Sequence, residues 1–134
     1  MDANKICFSV AISSILMLSS CSIVGDCRNE IEYRSQSPNG SYDVVVFNRN
    51  CGATSGYNVQ VSIVEHGMDI TKEKNGNILS AFGVGYTESI KPIWLSQNAI
   101  NIYMYRSARI GFRKNAINGI AIKHIFIKDI PAEH

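Results

Sequence analysis

The stretch "YNVQVSIV", residues 57 to 64, alternates apolar and polar side chains from Tyr57 to Ile63. That period of two places Tyr57, Val59, Val61 and Ile63 on one face of an extended chain. Asn58, Gln60 and Ser62 fall on the other, water-facing side. The same period returns in "INIYMY" (100 to 105) and "IAIKHIFI" (120 to 127). "SYDVVVFN" is apolar on both faces and reads as a central strand. "NEIEYRS" puts Ile31 and Tyr33 on one face and Glu30 and Glu32 on the other. Asn-Gly pairs at 39–40, 75–76 and 118–119 punctuate these runs. Such pairs tolerate positive φ and close tight hairpins. "NILSAF", "IWL" and "RIGFR" supply shorter strands, with Gly111 as a bulge, and "GVGYTESIKP" reads as a loop. No segment beyond the first twenty residues carries an amphipathic helical period. The expectation is an all-β domain, a small antiparallel sandwich or barrel of about eight short strands, with a meander as the simplest connectivity.

The amino-terminal stretch follows a different logic. "MDANKICFSVAISSILMLSSC" opens with Lys5, runs through thirteen weakly polar to apolar residues from Ile6 to Leu18, and ends Leu18-Ser19-Ser20-Cys21. Thirteen residues are too few to cross a bilayer core, which takes roughly 20. They match the apolar core of an export signal. Small residues before a cysteine let the backbone lie extended in a peptidase groove, and the thiol can then accept a diacylglyceryl group. The segment resembles a bacterial lipoprotein signal, with Asp2 weakening its positive start. The expected organisation is a signal peptide over 1–20, a lipidated Cys21 and short tether over 21–28, a β-rich domain over 29–130 and a tail over 131–134. Acyl chains hold a protein through about 0.8 kcal/mol per buried CH₂, so a diacyl group on Cys21 would keep the domain on a membrane without a spanning helix.

The chain has four cysteines. Cys7 leaves with the signal and Cys21 takes the lipid. Cys27 and Cys51 remain, in a compartment that permits disulfides. A Cys27–Cys51 bridge is the first expectation. The alternative makes Cys51 a nucleophile, which requires a thiolate and an oriented base. The candidate bases are His66, His124 and His134, none in a family-type context. Finger spacing, CxxC and HxxxH are all missing, so no metal is expected, and no cofactor is expected either.

Net charge is +2, too small to imply a nucleic-acid partner. Its distribution is more informative. Asp26 to Glu88 holds eight acidic and five basic residues, whereas Ser89 to Lys128 holds seven basic and no acidic ones. Within "YRSARIGFRK", Arg106, Arg109, Arg113 and Lys114 lie beside Tyr105 and Phe112 and are candidate contacts to an anionic surface. The plainer reading has them in water or paired with the acidic first half. Glu30 with Glu32, the GxG of "FGVGY", and the Tyr103–Tyr105 pair have equally plain readings: a solubilised edge strand, a turn and packing. No catalytic set emerges.

The block "SPNGSYDVVVFNRNCGATSGYNVQVSI" (37 to 63) is similar to a family of short bacterial lipoproteins of unknown function. The matching positions are Ser37 to Gly40, Val45 to Phe47, Arg49 to Thr54, Ser55, Gly56, Tyr57 and Gln60 to Ile63, with "GNI" at 76–78 also in keeping. The resemblance covers about a fifth of the chain. It implies a lipid-anchored β domain and transfers no catalytic residue. The expectation is therefore a non-enzymatic envelope lipoprotein of binding or structural role, held on a membrane by its lipid. In a Gram-negative host it would sit on the periplasmic face of the outer membrane. Expected partners are an envelope protein, anionic lipid or cell wall. The alternatives are a periplasmic inhibitor or immunity protein, with "EHGMDITKEKNG" or "GVGYTES" as a plug, and a cysteine-dependent enzyme using Cys51.

Overall fold

A computed structural model describes residues 27–51, 58–82, 90–105 and 109–128. They form nine strands: β1 (Arg28–Gln36), β2 (Tyr42–Asn50), β3 (Asn58–Glu65), β4 (Leu79–Phe82), β5 (Ile90–Ser96), β6 (Ala99–Tyr105), β7 (Arg109–Arg113), β8 (Ala116–Ile117) and β9 (Ile120–Ile127). No helix occurs among the described residues. A five-stranded sheet, β1-β2-β3-β4-β7, packs on a four-stranded one, β5-β6-β9-β8. The architecture is a sandwich rather than a closed barrel.

Alternation builds the core between the sheets. Val44, Val46, Val59, Val61, Ile63, Leu79 and Ala81 from the first sheet meet Ile90, Ile100, Ile102, Met104, Ile120 and Ile122 from the second. Most are branched aliphatics, which fit a pleated surface and fill it in few rotamers. The Asn-Gly signals hold at two of three places. Gly40, at φ 78°, closes the β1–β2 hairpin, and its N–H donates to Ser37 O at 2.9 Å. Asn118 and Gly119, both at positive φ, form the two-residue turn between β8 and β9.

Connectivity departs from a simple meander. β6 and β9 pair in parallel, Ala99 opposite Ala121 through Tyr105 opposite Ile127. The chain leaves β6, crosses to the other sheet as β7, and returns through β8 before reaching β9. That excursion adds a reversal, so β9 runs alongside β6 in the same direction. The strand expected at "IWL" begins earlier, at Ile90, and includes Pro92. β5 is an edge strand, where a residue without an N–H is tolerated.

β1 is also corrected. Ile31 pairs with Phe47, but Tyr33 pairs with Val46, leaving Glu32 as an extra residue in a bulge. Ile31 and Tyr33 therefore fall on opposite faces. Tyr33 joins the inter-sheet core, whereas Ile31 points to the outer side and is exposed.

The outer face of the five-stranded sheet is covered over much of β1, β2 and β3. Residues 66–77, between β3 and β4, fold back across it as a strap. Ile70, fully buried, packs with Val45, Phe47 and Val64 in a second core. Gln60 and Ser62 do point to this outer side, as the alternation requires. They are nonetheless buried, because Gly76 N–H donates to Gln60 Oε1 at 2.8 Å and Asn77 N–H to Ser62 Oγ at 3.0 Å. Buried polar side chains need such partners, and the strap's backbone supplies them.

Candidate functional site

Cys27 and Cys51 are joined in a disulfide. They sit opposite each other, one position beyond the Arg28–Asn50 pair that begins the β1–β2 ladder. The bond pins the start of the described domain to the end of β2. As a disulfide sulfur, Cys51 offers no thiolate for attack. Cys21 lies outside the described residues, as do Arg106, His134 and the "GVGYTES" loop.

The other sequence candidates are dispersed. His66 Nδ1 lies 2.8 Å from Asp43 Oδ1, and Asp43 also accepts from Arg34 Nε at 2.8 Å and from Gly67 N–H at 3.0 Å. Burial alone would raise the Asp43 carboxyl. The Gly67 N–H, the His66 ring and the Arg34 guanidinium outweigh it and hold the carboxyl below its usual value. This cluster anchors the first turn of the strap. Further along, Arg34 Nη2 donates to Met68 O at 2.6 Å, Asn29 Nδ2 donates to Ile70 O at 2.8 Å, and Arg49 Nη1 donates to Glu73 O at 2.7 Å. The "EHGMDITKEKNG" stretch is thus a tied-down cover whose side chains are largely exposed, rather than a free protruding plug.

His124 on β9 interacts through Nε2 with Lys114 O at 2.8 Å, while its buried Nδ1 has no partner among the described residues. Desolvation lowers its pKa, and the nearby Arg113 charge adds to that effect. The basic residues do not converge on one face of β7. Arg109 pairs with Phe82 on the outer side. Arg113 pairs with Leu79, on the side facing the second sheet, and its guanidinium carbon stands 5.8 Å from the centre of the Phe126 ring. Lys114 follows β7 and is exposed; its N–H donates to Ile78 O at 2.8 Å. Tyr103 and Tyr105 share the outward side of the second sheet with Ile125 and Ile127, and Asn101 Nδ2 donates to Tyr103 Oη at 3.2 Å.

A concave feature among the described residues lies elsewhere. The strap covers β1, β2 and β3 but stops short of β4 and β7. A cleft of about 490 Å³ opens there, lined by Asn75, Gly76, Ser80, Phe82, Gly111 and Phe112. Its position follows from the sequence locally. A bulge shifts the β4–β7 register between Ser80 and Ala81, leaving Gly111 without an opposite residue. With no side chain at Gly111, the Phe82 ring lies directly over its backbone; a Cβ there would overlap the ring. Phe82 and Phe112, on adjacent strands of the same sheet face, remain 37% and 39% exposed. The floor is polar. Gln60 Nε2 donates to Ser80 Oγ at 3.0 Å and also to Asn58 Oδ1. Gly76 must be glycine, because a Cβ would stand 2.6 Å from both Val61 O and Leu79 O.

The bulge at Gly111 and the aromatic Phe112 are legible in the sequence, whereas the cleft is not. The usable signal was the period: Phe82 and Phe112 are large apolar residues at outward positions of adjacent short strands.

The fold and the cleft together define, among the described residues, a β-sandwich domain with a strapped outer face and an open aromatic cleft beside the strap. No protein-family model, curated protein or solved structure matches the chain.

Proposed function

We propose that this chain is a bacterial envelope lipoprotein whose β sandwich serves as a membrane-tethered binding domain. Residues 1–20 direct export, and Cys21 carries the lipid. The observation that carries the reading is the position of the first structural anchor. The disulfide at Cys27 lies six residues after Cys21 in sequence. An extended chain spans at most about 3.3–3.6 Å per residue, so the linker reaches roughly 20 Å. A tether that short would hold the sandwich beside its leaflet. A disulfide also suits a compartment outside the reducing cytoplasm. The role is binding rather than catalysis: Cys51, the nucleophile the sequence offered, is committed to the disulfide, while the cleft presents rings and neutral polar groups.

The similarity of residues 37–63 to short lipoproteins fits the same assignment, and an envelope component is the expected partner. Mass spectrometry of protein purified from membranes tests it. The expected result is loss of residues 1–20 and a diacylglyceryl mass on Cys21. An intact Met1, or an unmodified Cys21 thiol, would overturn the assignment.

A further inference from the structure

The geometry points to the Phe82–Phe112 cleft as a binding site for a short neutral oligosaccharide. This rests on reading the sandwich as a binding domain, and is independent of the lipid on Cys21. Three observations support it.

The first is the shape of the apolar part. Two exposed phenyl rings stand on adjacent strands of one sheet face, with the Phe82 ring lying over the Gly111 backbone and Gly76 packed on the strand backbone at the cleft's strap side. A pyranose ring has an apolar C–H face that stacks on an aromatic ring and a hydroxyl rim that needs hydrogen bonds. The volume of about 490 Å³ lies within the usual range for small-ligand sites.

The second is an unspent donor. Ser80 is only 9% exposed, lines the cleft, and accepts from Gln60 Nε2. Its own proton has no acceptor among the described residues. The Gln60 amide fixes that orientation, since both its nitrogen and its oxygen are bonded, the oxygen to Gly76 N–H. A buried hydroxyl with an unused proton gains a full hydrogen bond when a ligand oxygen arrives. The Asn75 side chain, on the strap side, makes no hydrogen bond among the described residues and adds a further donor and acceptor.

The third is neutrality. None of the six lining residues is charged. An anionic headgroup or a charged peptide finds no counter-charge on these walls. An extended peptide pairing along β7 is also disfavoured. β7 is an edge strand, but its bulge at Gly111 interrupts the row of backbone groups, and arginines occupy both ends.

The test uses the full-length oxidised chain, isotope-labelled and held in a zwitterionic detergent without a sugar headgroup. Cellotriose and tri-N-acetylchitotriose are titrated while amide resonances are followed. An open cleft of this kind should bind with a Kd on the order of 1 mM. Shifts are expected at Gly76, Ser80, Gly111 and Phe112 for at least one of the two sugars. Phe112→Ala and Ser80→Ala should each weaken binding about tenfold or more, the first removing the stacking ring and the second the free donor. Phe112 is exposed, so its loss should leave the spectrum otherwise folded. The inference fails if neither sugar shifts these amides, or if shifts persist unchanged in both variants. It also fails if a neutral Phe-rich pentapeptide moves the same resonances where the sugars do not. The lipid on Cys21 is read separately by mass, so either conclusion can fall without the other.

Discussion

Arg34 Nε and Asp43 Oδ2 meet at 2.8 Å on the outer face of the β1–β2 pair, with the carboxylate almost wholly buried and the guanidinium partly open to water. The pair is diagonal in register, since Arg34 lies opposite Val45 and Asp43 lies opposite Val64 on the far side. The other Asp43 contacts, to His66 and to Gly67 N–H, belong to the strap. One carboxylate therefore joins two strands to the segment that covers them.

That arrangement predicts an acid-sensitive strap. Asp43 is held below its ordinary value of 3.8 in the folded chain. Above pH 3.8 the group is ionised folded or unfolded, and its full contribution is present. As pH falls further, the unfolded chain takes the proton first, and the contribution is lost as pH passes the folded value. Asp43→Asn should cost about 1–3 kcal/mol near neutral pH, because three donors, Arg34 Nε, the Gly67 N–H and the His66 ring, lose an ionised acceptor. It should also flatten the acid limb of the stability curve. Urea unfolding across an acid pH series checks both; an unchanged acid limb would remove Asp43 from the account.

The disulfide should matter to the strap as well as to the ladder. Two positions inward from Cys27 and Cys51, Asn29 and Arg49 pair across β1 and β2. Arg49 Nη1 donates to Asn29 Oδ1 at 2.9 Å, and both side chains reach Glu73 O. Cys27→Ser with Cys51→Ser should cost roughly 3 kcal/mol in the chain-entropy model for a loop of this size. Fraying at that end should also loosen the far half of the strap. Hydrogen exchange should speed up at residues 70–74 more than at the β8–β9 turn; equal change at both would mean a purely global effect.

Much of this was legible in the sequence, because strands announce themselves by period. Val59, Val61 and Ile63 of the alternating stretch and Ile100, Ile102 and Met104 of "INIYMY" face inward as the period requires, Tyr57 lying outside the described residues, and the two remaining cysteines meet as parity suggested. What escaped was non-local. Gln60 and Ser62 read as solvated because nothing in "EHGMDITKEKNGN" is apolar enough to look like a cover. Only Ile70 enters the second core, and the rest of the strap is held mainly by side chains of the sheet bonding its backbone N–H and C=O groups, contacts hydropathy cannot register. The bulge at Glu32 lacks a glycine or proline to mark it. Pairing of β6 with β9 depends on where the chain returns, not on either strand's composition. The cleft joins Phe82 to Phe112 from segments thirty residues apart, so neither alone identifies it.

The two glycines of the cleft should respond differently to an added methyl. At Gly76 a Cβ would sit 2.6 Å from Val61 O and Leu79 O and 2.7 Å from Val61 N, all backbone atoms of paired strands. These cannot move without breaking the ladder, so Gly76→Ala should destabilise by about 1–3 kcal/mol or more. At Gly111 the obstacle is the Phe82 ring, part of a half-exposed side chain that can rotate away. Gly111→Ala should cost less than about 1 kcal/mol while reshaping the cleft. Thermal unfolding of the two variants checks the order; a larger loss at 111 would contradict the packing described.

His124 gives the last prediction, and its tautomer decides the sign. Nε2 can reach Lys114 O only as a donor, so the neutral ring carries its proton on Nε2 and leaves Nδ1 as a bare acceptor. Protonation would place a second N–H on Nδ1, which is buried and has no acceptor among the described residues. Desolvation lowers the pKa, and the Arg113 charge acts in the same direction. Above the ordinary value of 6.5 the ring is neutral folded and unfolded, and stability is unaffected by it. Below 6.5 the unfolded chain binds the proton first, so stability falls until pH passes the folded value. His124→Gln keeps an amide donor for Lys114 O and removes the titration. The variant should lose less stability than the parent when pH is lowered from just above 6.5 to well below it. The ring's own resonance in the folded parent should titrate with a midpoint under 6.5, and a midpoint above that value would reverse the argument.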